Sequence, residues 1–148
     1  MDVDAMVTAL RAATGAEREV VLDGLFAETV VLRHVPSYPK DGPLPGKQLT
    51  AQASAERALF SREIPGYTST HTYESSGDGA IIERYHMQGT FPDGEVLDNP
   101  MRITFDVSDG AIVAMTAEID AASVAGLGKV IAAAGGLGLD DADSTSPR

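Results

Sequence analysis

Three Asp-Gly dipeptides constrain the fold of this chain more than any other feature. Each lies between runs rich in β-branched and aromatic residues, at Asp78-Gly79, Asp93-Gly94 and Asp109-Gly110. Asp-Gly readily adopts the positive φ angles of a tight hairpin turn, so three such turns predict four consecutive antiparallel strands. The four strands are expected at about residues 67–74, 80–91, 95–107 and 111–119. Because Pro100 cannot donate to a strand ladder, we expect a bulge at Asn99-Pro100.

The first quarter of the chain is predicted to be helical. Met6, Val7 and Leu10 recur at helical spacing and predict a helix over about residues 4–13. Thr14 and Glu17 fit a capping box, which predicts a second helix over about residues 16–26. The expected buried stripe of that helix is Val20, Val21, Leu25 and Phe26.

A strand and a third helix are expected before the hairpins. A β-branched run predicts a strand over about residues 29–34, and a proline-rich loop follows at about 35–46. The next helix should cover about residues 49–62, with Ala53, Leu59 and Phe60 facing inward.

The chain is expected to end in one more helix and a tail. Residues 121–134 can form a helix, and 135–148 combine glycine with Asp and Ser, which predicts a disordered acidic tail. We therefore expect one α+β domain over residues 1–134, with helices on one face of an antiparallel sheet.

Charge and composition exclude several classes of function. The chain has 22 acidic and 11 basic residues and a net charge of -11, so it should repel nucleic acids and anionic membranes. No apolar stretch approaches the roughly 20 residues that span a bilayer. The acidic start, Met1-Asp2-Val3-Asp4, differs from a basic signal peptide, so a cytoplasmic location is expected. Without cysteine there can be no disulfide and no thiolate chemistry.

His34 is the first candidate for proton transfer. It ends the predicted strand before the stiff proline loop, and an imidazole can exchange a proton near neutral pH. The alternative is a half-exposed histidine at a strand end. The three histidines, His34, His71 and His86, lack the short spacing of a preformed metal site, so no metal or other cofactor is expected.

Polar rows on two of the predicted strands are further candidates. Arg84, His86 and Gln88 share one strand face, and Ile81, Glu83, Tyr85 and Met87 share the other. Tyr67, Ser69, His71 and Tyr73 likewise share one face, and the residues between them share the opposite face. Either face of that strand could line a cavity or contact a second copy. Asp98, beside Asn99-Pro100, could project inward or serve turn chemistry.

Several short motifs resemble the SnoaL-like branch of the NTF2-like superfamily over about residues 4–122. They are Leu25-Phe26-Ala27-Glu28, Pro43-Leu44-Pro45-Gly46, Gly89-Thr90-Phe91-Pro92-Asp93-Gly94, and Val107-Ser108-Asp109-Gly110-Ala111-Ile112 ahead of Ile119-Asp120. The resemblance implies an NTF2-like cone, in which a curved antiparallel sheet packs on the N-terminal helices and encloses a hydrophobic cavity. It also implies a homodimer. Ketosteroid isomerases, limonene-type epoxide hydrolases, polyketide cyclases and non-enzymes all belong to this superfamily.

The resemblance carries over to some of the candidate residues. His34 falls where ketosteroid isomerases have the aspartate that abstracts a proton, whereas Leu10 and Met101 replace their oxyanion-binding residues. Against the epoxide hydrolases, Arg84 is retained and His86 replaces an aspartate. The resemblance implies that the strand face carrying both residues looks into the cavity, whereas a polar row beside an apolar one could also face solvent. Tyr38 resembles their water-positioning tyrosine. Ala117 replaces the aspartate that activates water.

The function implied is acid-base isomerisation or cyclisation of a hydrophobic, polyketide- or terpenoid-like small molecule in biosynthesis. In this hypothesis His34 accepts and donates the proton, Arg84 stabilises negative charge, and His86 and Tyr38 orient the reacting groups. The substrate would contact Tyr67, Asp98, Met101 and Ala117. The alternatives are a limonene-type epoxide hydrolase and a non-catalytic ligand-binding or dimerisation domain.

Overall fold

A computed structural model describes residues 1–37, 39, 41–118, 125–126 and 128–130. Its elements are α1 (Val3–Ala12), α2 (Glu17–Leu25), β1 (Phe26–Val35), β2 (Gly42–Pro45), α3 (Gly46–Glu63), β3 (Thr68–Ser75), β4 (Ala80–Thr90), β5 (Val96–Ser108) and β6 (Ala111–Glu118). The predicted α+β class is therefore confirmed. Among the described helices, none has an apolar stretch long enough to cross a membrane.

The six strands form one curved sheet in the order β2-β1-β6-β5-β4-β3. All neighbours are antiparallel except β1 and β6, which run parallel. The predicted meander of β3 to β6 is confirmed, and Gly79, Gly94 and Gly110 all have positive φ in its turns. Residues 42–45 lie in the predicted proline loop, but they form an edge strand, where proline is tolerated.

The bulge is not at the predicted position. Pro100 lies opposite His86 in a β4–β5 ladder that keeps its register throughout. The irregularity is instead in the β5–β6 ladder, between Asp106 and Val107. The missing N–H of Pro100 therefore interrupts none of the strand pairings that the structure describes.

The helices cover one face of the sheet, which we call the inner face, and the opposite face is the outer face. Helices α1 and α2 bury Met6, Val7, Leu10, Leu22 and Leu25 against strand residues that include Ile81, Ile103 and Phe105. Helix α3 buries Leu59 and Phe60 beside Met87 and Leu97, and it packs Leu49 on Val30 and Leu32. The core therefore lies between the three helices and the inner face.

Helix α2 buries most of the predicted stripe, since Leu25 is buried and Val21 and Phe26 pack against the core. Val20 is the exception, with 73% of it exposed, and Leu22, which was not predicted, is buried in its place. The helix is rotated so that Arg18 and Leu22, one turn apart, both face the sheet, where Arg18 binds Glu83. Only part of the predicted capping box forms, since Glu17 accepts from the Thr14 backbone N–H at 3.3 Å while Ala16 is the N-cap.

The end of the chain is described only in part. Residues 125–126 and 128–130 are helical, within the predicted helix over 121–134. The predicted tail, 135–148, lies outside the described residues.

Candidate functional site

Glu83 is the central residue of a polar network on the inner face. Its side chain is fully buried, although it lies on β4 between the core residues Ile81 and Met87. Alternation along the strand brings it inward, because Ile81, Glu83, Tyr85 and Met87 share one face. A buried carboxylate needs partners of opposite charge or several hydrogen bonds.

Arg18 and Glu83 form a buried ion pair with two parallel hydrogen bonds. Arg18 Nε donates to Glu83 Oε2 over 2.8 Å, and Nη2 donates to Oε1 over 2.6 Å. Burial raises the pKa of Glu83, but the Arg18 charge and the hydrogen bonds from His71 and Arg18 outweigh it and lower the pKa to about 2. Burial would lower the pKa of Arg18, yet the Glu83 charge raises it. Glu83 is therefore ionised at neutral pH.

His71 is oriented by the same carboxylate. Its Nδ1 lies 3.0 Å from Glu83 Oε2, and an ionised carboxylate can only accept, so Nδ1 carries a proton. In the neutral ring, Nε2 is then left as an acceptor, and it lies 3.4 Å from Ser69 Oγ. The imidazole stacks on Tyr85 with a centroid distance of 4.3 Å, and its side chain is 21% exposed. His71 is thus fixed in orientation while remaining accessible.

Three tyrosine hydroxyls extend the network. Tyr73 accepts a hydrogen bond from Arg18 Nε at 3.1 Å, and the hydroxyls of Tyr67 and Tyr85 lie 3.0 Å apart. Burial raises the pKa of Tyr73, Tyr85 and Tyr67, although hydrogen bonds to Tyr85 and Ser69 act in the opposite direction on Tyr67. All three hydroxyls are protonated at neutral pH and can donate hydrogen bonds.

A cleft of about 270 Å³ gives access to this network. The α1–α2 turn, α3 and strands β3 and β4 form its walls. Its lining residues are Leu10, Arg11, Ala13, Thr14, Gly15, Arg18, Glu19, Ala53, Arg57, Ser69, His71, Tyr73 and Tyr85. Most of them carry polar groups, which differs from the hydrophobic cavity implied by the resemblance. Among the described residues, no three carboxylate or imidazole side chains are grouped to hold a metal ion.

His34 lies on the inner face, in a second histidine–carboxylate pair. His34 lies two residues after the buried Leu32, so the two side chains share a strand face, and it pairs with the buried Ala117 of β6. Its Nδ1 is 2.5 Å from Asp41 Oδ1, and its backbone N–H donates to Asp41 Oδ2 at 2.8 Å. His34 is three strands from Glu83, which corresponds to about 14 Å at the usual strand spacing. It is not among the residues that line the cleft.

Arg84 and His86 lie on the outer face. This corrects the expectation that their row faces the inner cavity, since the apolar Ile81 and Met87 occupy the core side of β4. The Arg84 side chain is 57% exposed and pairs with Glu74, and His86 pairs with Asp98, which is also exposed. Arg84 and His86 line an open groove of about 670 Å³ on the outer face. The sheet therefore separates them from His34.

The remaining predicted site residues occupy different environments. Ala117 is buried in the core beneath α1 and α2, and Met101 packs against the cluster beneath α3. Tyr67 belongs to the inner network through its contact with Tyr85. Tyr38 lies outside the described residues.

Arg18, His71 and Glu83 were not predicted as site residues. A signal for Glu83 was present, because a charged residue on the same strand face as Ile81 and Met87 must find a buried partner. The sequence groups His71 with Tyr67, Ser69 and Tyr73 on one strand face, but alternation alone does not say which face of the strand points inward. Nothing in the local sequence assigned Arg18 to Glu83, which is 65 residues away.

Solved structures that resemble this chain share one fold. A structure assigned to the SnoaL-like polyketide cyclases, from Jannaschia sp. CCS1, has a TM-score of 0.54 and 17% identity and covers 82% of this chain and 88% of its own. A pinacolase from Penicillium brevicompactum has a TM-score of 0.58 and 10% identity, with coverages of 88% and 93%. A LEH-like epoxide hydrolase from M. tuberculosis has a TM-score of 0.50 and 16% identity, with coverages of 88% and 90%.

Other matched structures are described as NTF2-like or as having a ketosteroid isomerase-like fold. No family model and no curated protein matches the chain. Because the three identities above lie between 10% and 17%, the similarities show the fold and leave the reaction open. The chain has the NTF2-like α+β fold that SnoaL-like, ketosteroid isomerase-like and LEH-like structures share.

Proposed function

We propose that the inner cleft is an active site for acid-base isomerisation or cyclisation of a small carbonyl compound of the polyketide or terpenoid kind. The observation that carries the proposal is the His71–Glu83 pair. A buried, ionised carboxylate holds one ring nitrogen while the other stays an acceptor beside an accessible cleft. This is the arrangement that a general base requires.

His71 Nε2 would remove a proton from a carbon next to the substrate carbonyl and return it to another atom. Glu83 stabilises the imidazolium that forms in between, because its negative charge lies 3.0 Å from Nδ1. Arg18 in turn keeps Glu83 ionised. The network thus supports both protonation states of His71.

The tyrosines supply donors for the negative charge that develops on the substrate oxygen. Their raised pKa values keep the hydroxyls protonated, and a neutral donor in a partly buried site can stabilise an enolate. Tyr85 lines the cleft together with His71. The apolar part of a substrate would contact Leu10, Ala13 and the tyrosine rings. A volume of about 270 Å³ suits a small molecule, near the lower end of ligand-binding pockets.

His34 is the competing candidate for the base. It occupies the position that the resemblance gives to the proton-abstracting residue, and Asp41 orients its Nδ1 as Glu83 orients that of His71. A role for Arg84 and His86 in the same reaction would require the substrate to reach the outer face. The two bases are therefore best separated by experiment.

The test is conversion of 3-cyclohexen-1-one to the conjugated 2-cyclohexen-1-one, followed by ultraviolet absorption. We expect His71→Ala to lower the rate by about 10² to 10⁴, the range for a lost general base, with little change in melting temperature. His86→Ala, on the outer face, is the matched control and should leave the rate unchanged. Loss of activity in His34→Ala alone would assign the base to His34. If neither inner histidine matters, the cleft binds ligands without catalysing this reaction.

A further inference from the structure

Ser69, His71 and Glu83 are arranged as a nucleophile, a base and a carboxylate. Acid-base isomerisation does not use the serine. Ser69 and His71 are two residues apart on β3, so their side chains emerge on the same face. Ser69 Oγ lies 3.4 Å from His71 Nε2, and His71 Nδ1 lies 3.0 Å from Glu83 Oε2. A hydroxyl bonded to an imidazole that a buried carboxylate orients is the arrangement of an activated serine nucleophile.

We propose that Ser69, His71 and Glu83 form a catalytic triad that hydrolyses short-chain carboxylic esters. Both Ser69 and His71 line the cleft of about 270 Å³, so an acyl group that enters it meets the serine hydroxyl. The inference goes beyond the proposed isomerisation, because it adds a covalent step at Ser69, and it shares only the histidine–carboxylate pair with it.

The reaction balances with water as the second substrate. Ser69 Oγ bonds to the ester carbonyl carbon while His71 Nε2 takes the hydroxyl proton. The bond to the alcohol oxygen then breaks, and the alcohol leaves with that proton. Water next attacks the acyl-serine, gives a proton to His71, and releases the carboxylic acid as Ser69 recovers its hydrogen.

The surroundings of Ser69 fit this role. The separation of 3.4 Å is at the long end for a hydrogen bond, as catalytic contacts without substrate often are. Tyr85 lines the same cleft, and burial raises the pKa of Tyr85, so a protonated hydroxyl stands in the cleft with the nucleophile. Glu83 is ionised and fully buried, as the residue that orients the base must be.

The experiment is covalent labelling with diisopropyl fluorophosphate, whose fluoride leaves when a serine attacks phosphorus. Intact mass and peptide mapping should locate one adduct at Ser69, and 4-nitrophenyl acetate should be hydrolysed with an initial burst. We expect no adduct in Ser69→Ala and labelling at least about 10² times slower in His71→Ala. Ser75→Ala is the matched control, since Ser75 is an exposed serine at the end of the same strand, and it should label like the unmodified chain.

Two results would overturn the triad. One is no adduct at Ser69 in a folded protein, and the other is labelling that proceeds equally fast in His71→Ala. The cyclohexenone assay on the unmodified chain separates this proposal from the isomerase: isomerisation without labelling overturns the triad alone, and labelling without isomerisation overturns the isomerase alone.

Discussion

Glu83 places a buried negative charge beside the apolar core residues Ile81 and Ile103. The free energy lost when its carboxylate leaves water is offset by two hydrogen bonds from Arg18 and one from His71. Each of the three groups therefore depends on the other two. Removing one partner leaves an uncompensated buried charge, which costs more than the pair itself contributes.

The first prediction follows from that dependence. Glu83→Gln should lower the free energy of unfolding by about 3 to 5 kcal/mol, because Arg18 is left buried without its counter-ion. The double variant Arg18→Met/Glu83→Gln should recover much of the loss, since it removes both charges together. Glu74→Gln, which breaks the exposed pair with Arg84, should change stability far less. Urea denaturation of the four proteins measures these differences, and equal losses in Glu83→Gln and Glu74→Gln would contradict the prediction.

The second prediction concerns acid stability. The pKa of Glu83 falls from 4.5 to about 2 on folding, so its ionised form stabilises the native state fully above pH 4.5. That contribution is lost as pH falls from 4.5 to 2, because over this range Glu83 binds a proton more readily in the unfolded chain than in the folded one. It amounts to about 3 kcal/mol, at roughly 1.4 kcal/mol for each pKa unit.

The comparison for this prediction is the Arg18→Met/Glu83→Gln variant. Its unfolding free energy should depend less steeply on pH over the same interval, because it lacks the titrating carboxylate. Urea midpoints at pH 5, 4 and 3 measure the two slopes. Identical slopes would show that Glu83 does not have the lowered pKa in solution.

Individual side chains were harder to predict than the strands that carry them. Alternation correctly separates Arg84 from Glu83, but it does not say which face packs on the helices. The apolar Ile81 and Met87 decide this in favour of Glu83, whereas the resemblance had favoured Arg84. His34 lies on the inner face, but its partner Asp41 comes from the proline-rich segment, and nothing in the local sequence pairs the two residues.

At the level of elements, turn chemistry was the reliable guide. Asp109 and Gly110 have φ angles of 52° and 76°, which only a few residue types adopt without strain, so their positions identify a hairpin directly. Helix α2 was harder, because Val20 fits the same apolar spacing as Val21 and Leu25, yet Leu22 is buried in its place, on the side of the helix where Arg18 binds Glu83. Local signals thus predicted where elements begin and end better than which way they face.

A pair of glycine substitutions tests the role of these turns. Gly110→Ala should lower the free energy of unfolding by about 1 to 3 kcal/mol, because alanine is strained at a φ of 76°. Gly24→Ala is the matched control, since Gly24 lies in α2 with open space around it, and it should raise stability by about 0.5 to 1 kcal/mol. Chemical denaturation measures both. A neutral Gly110→Ala would mean that the turn can adopt another conformation.

At the scale of the whole molecule, the two faces of the sheet differ in what covers them. The inner face packs on α1, α2 and α3, whereas the outer face presents charged pairs such as Arg84 with Glu74 and Arg102 with Glu118. Both faces contain a concave surface, the inner cleft and the outer groove. Chemistry and self-association can therefore use opposite sides of one sheet.

The last prediction is that the outer face joins two copies of the chain. A two-fold axis through this face would let the acidic residue of each charged pair contact the basic residue of the same pair in the second copy. A symmetric dimer needs this self-complementarity.

A single substitution tests this interface. Thr72 lies in the groove next to Arg84, so Thr72→Arg would add a third cation beside Arg84 and Arg102 and should convert the dimer to a monomer. Thr8→Arg, on the exposed side of α1, is the matched control and should remain dimeric. Sedimentation velocity distinguishes dimer from monomer, at roughly 10 to 50 μM, where an interface of standard size keeps two copies associated. A monomer before any substitution would show that the outer groove is not a self-association surface, and a dimer that persists in Thr72→Arg would place the contact elsewhere.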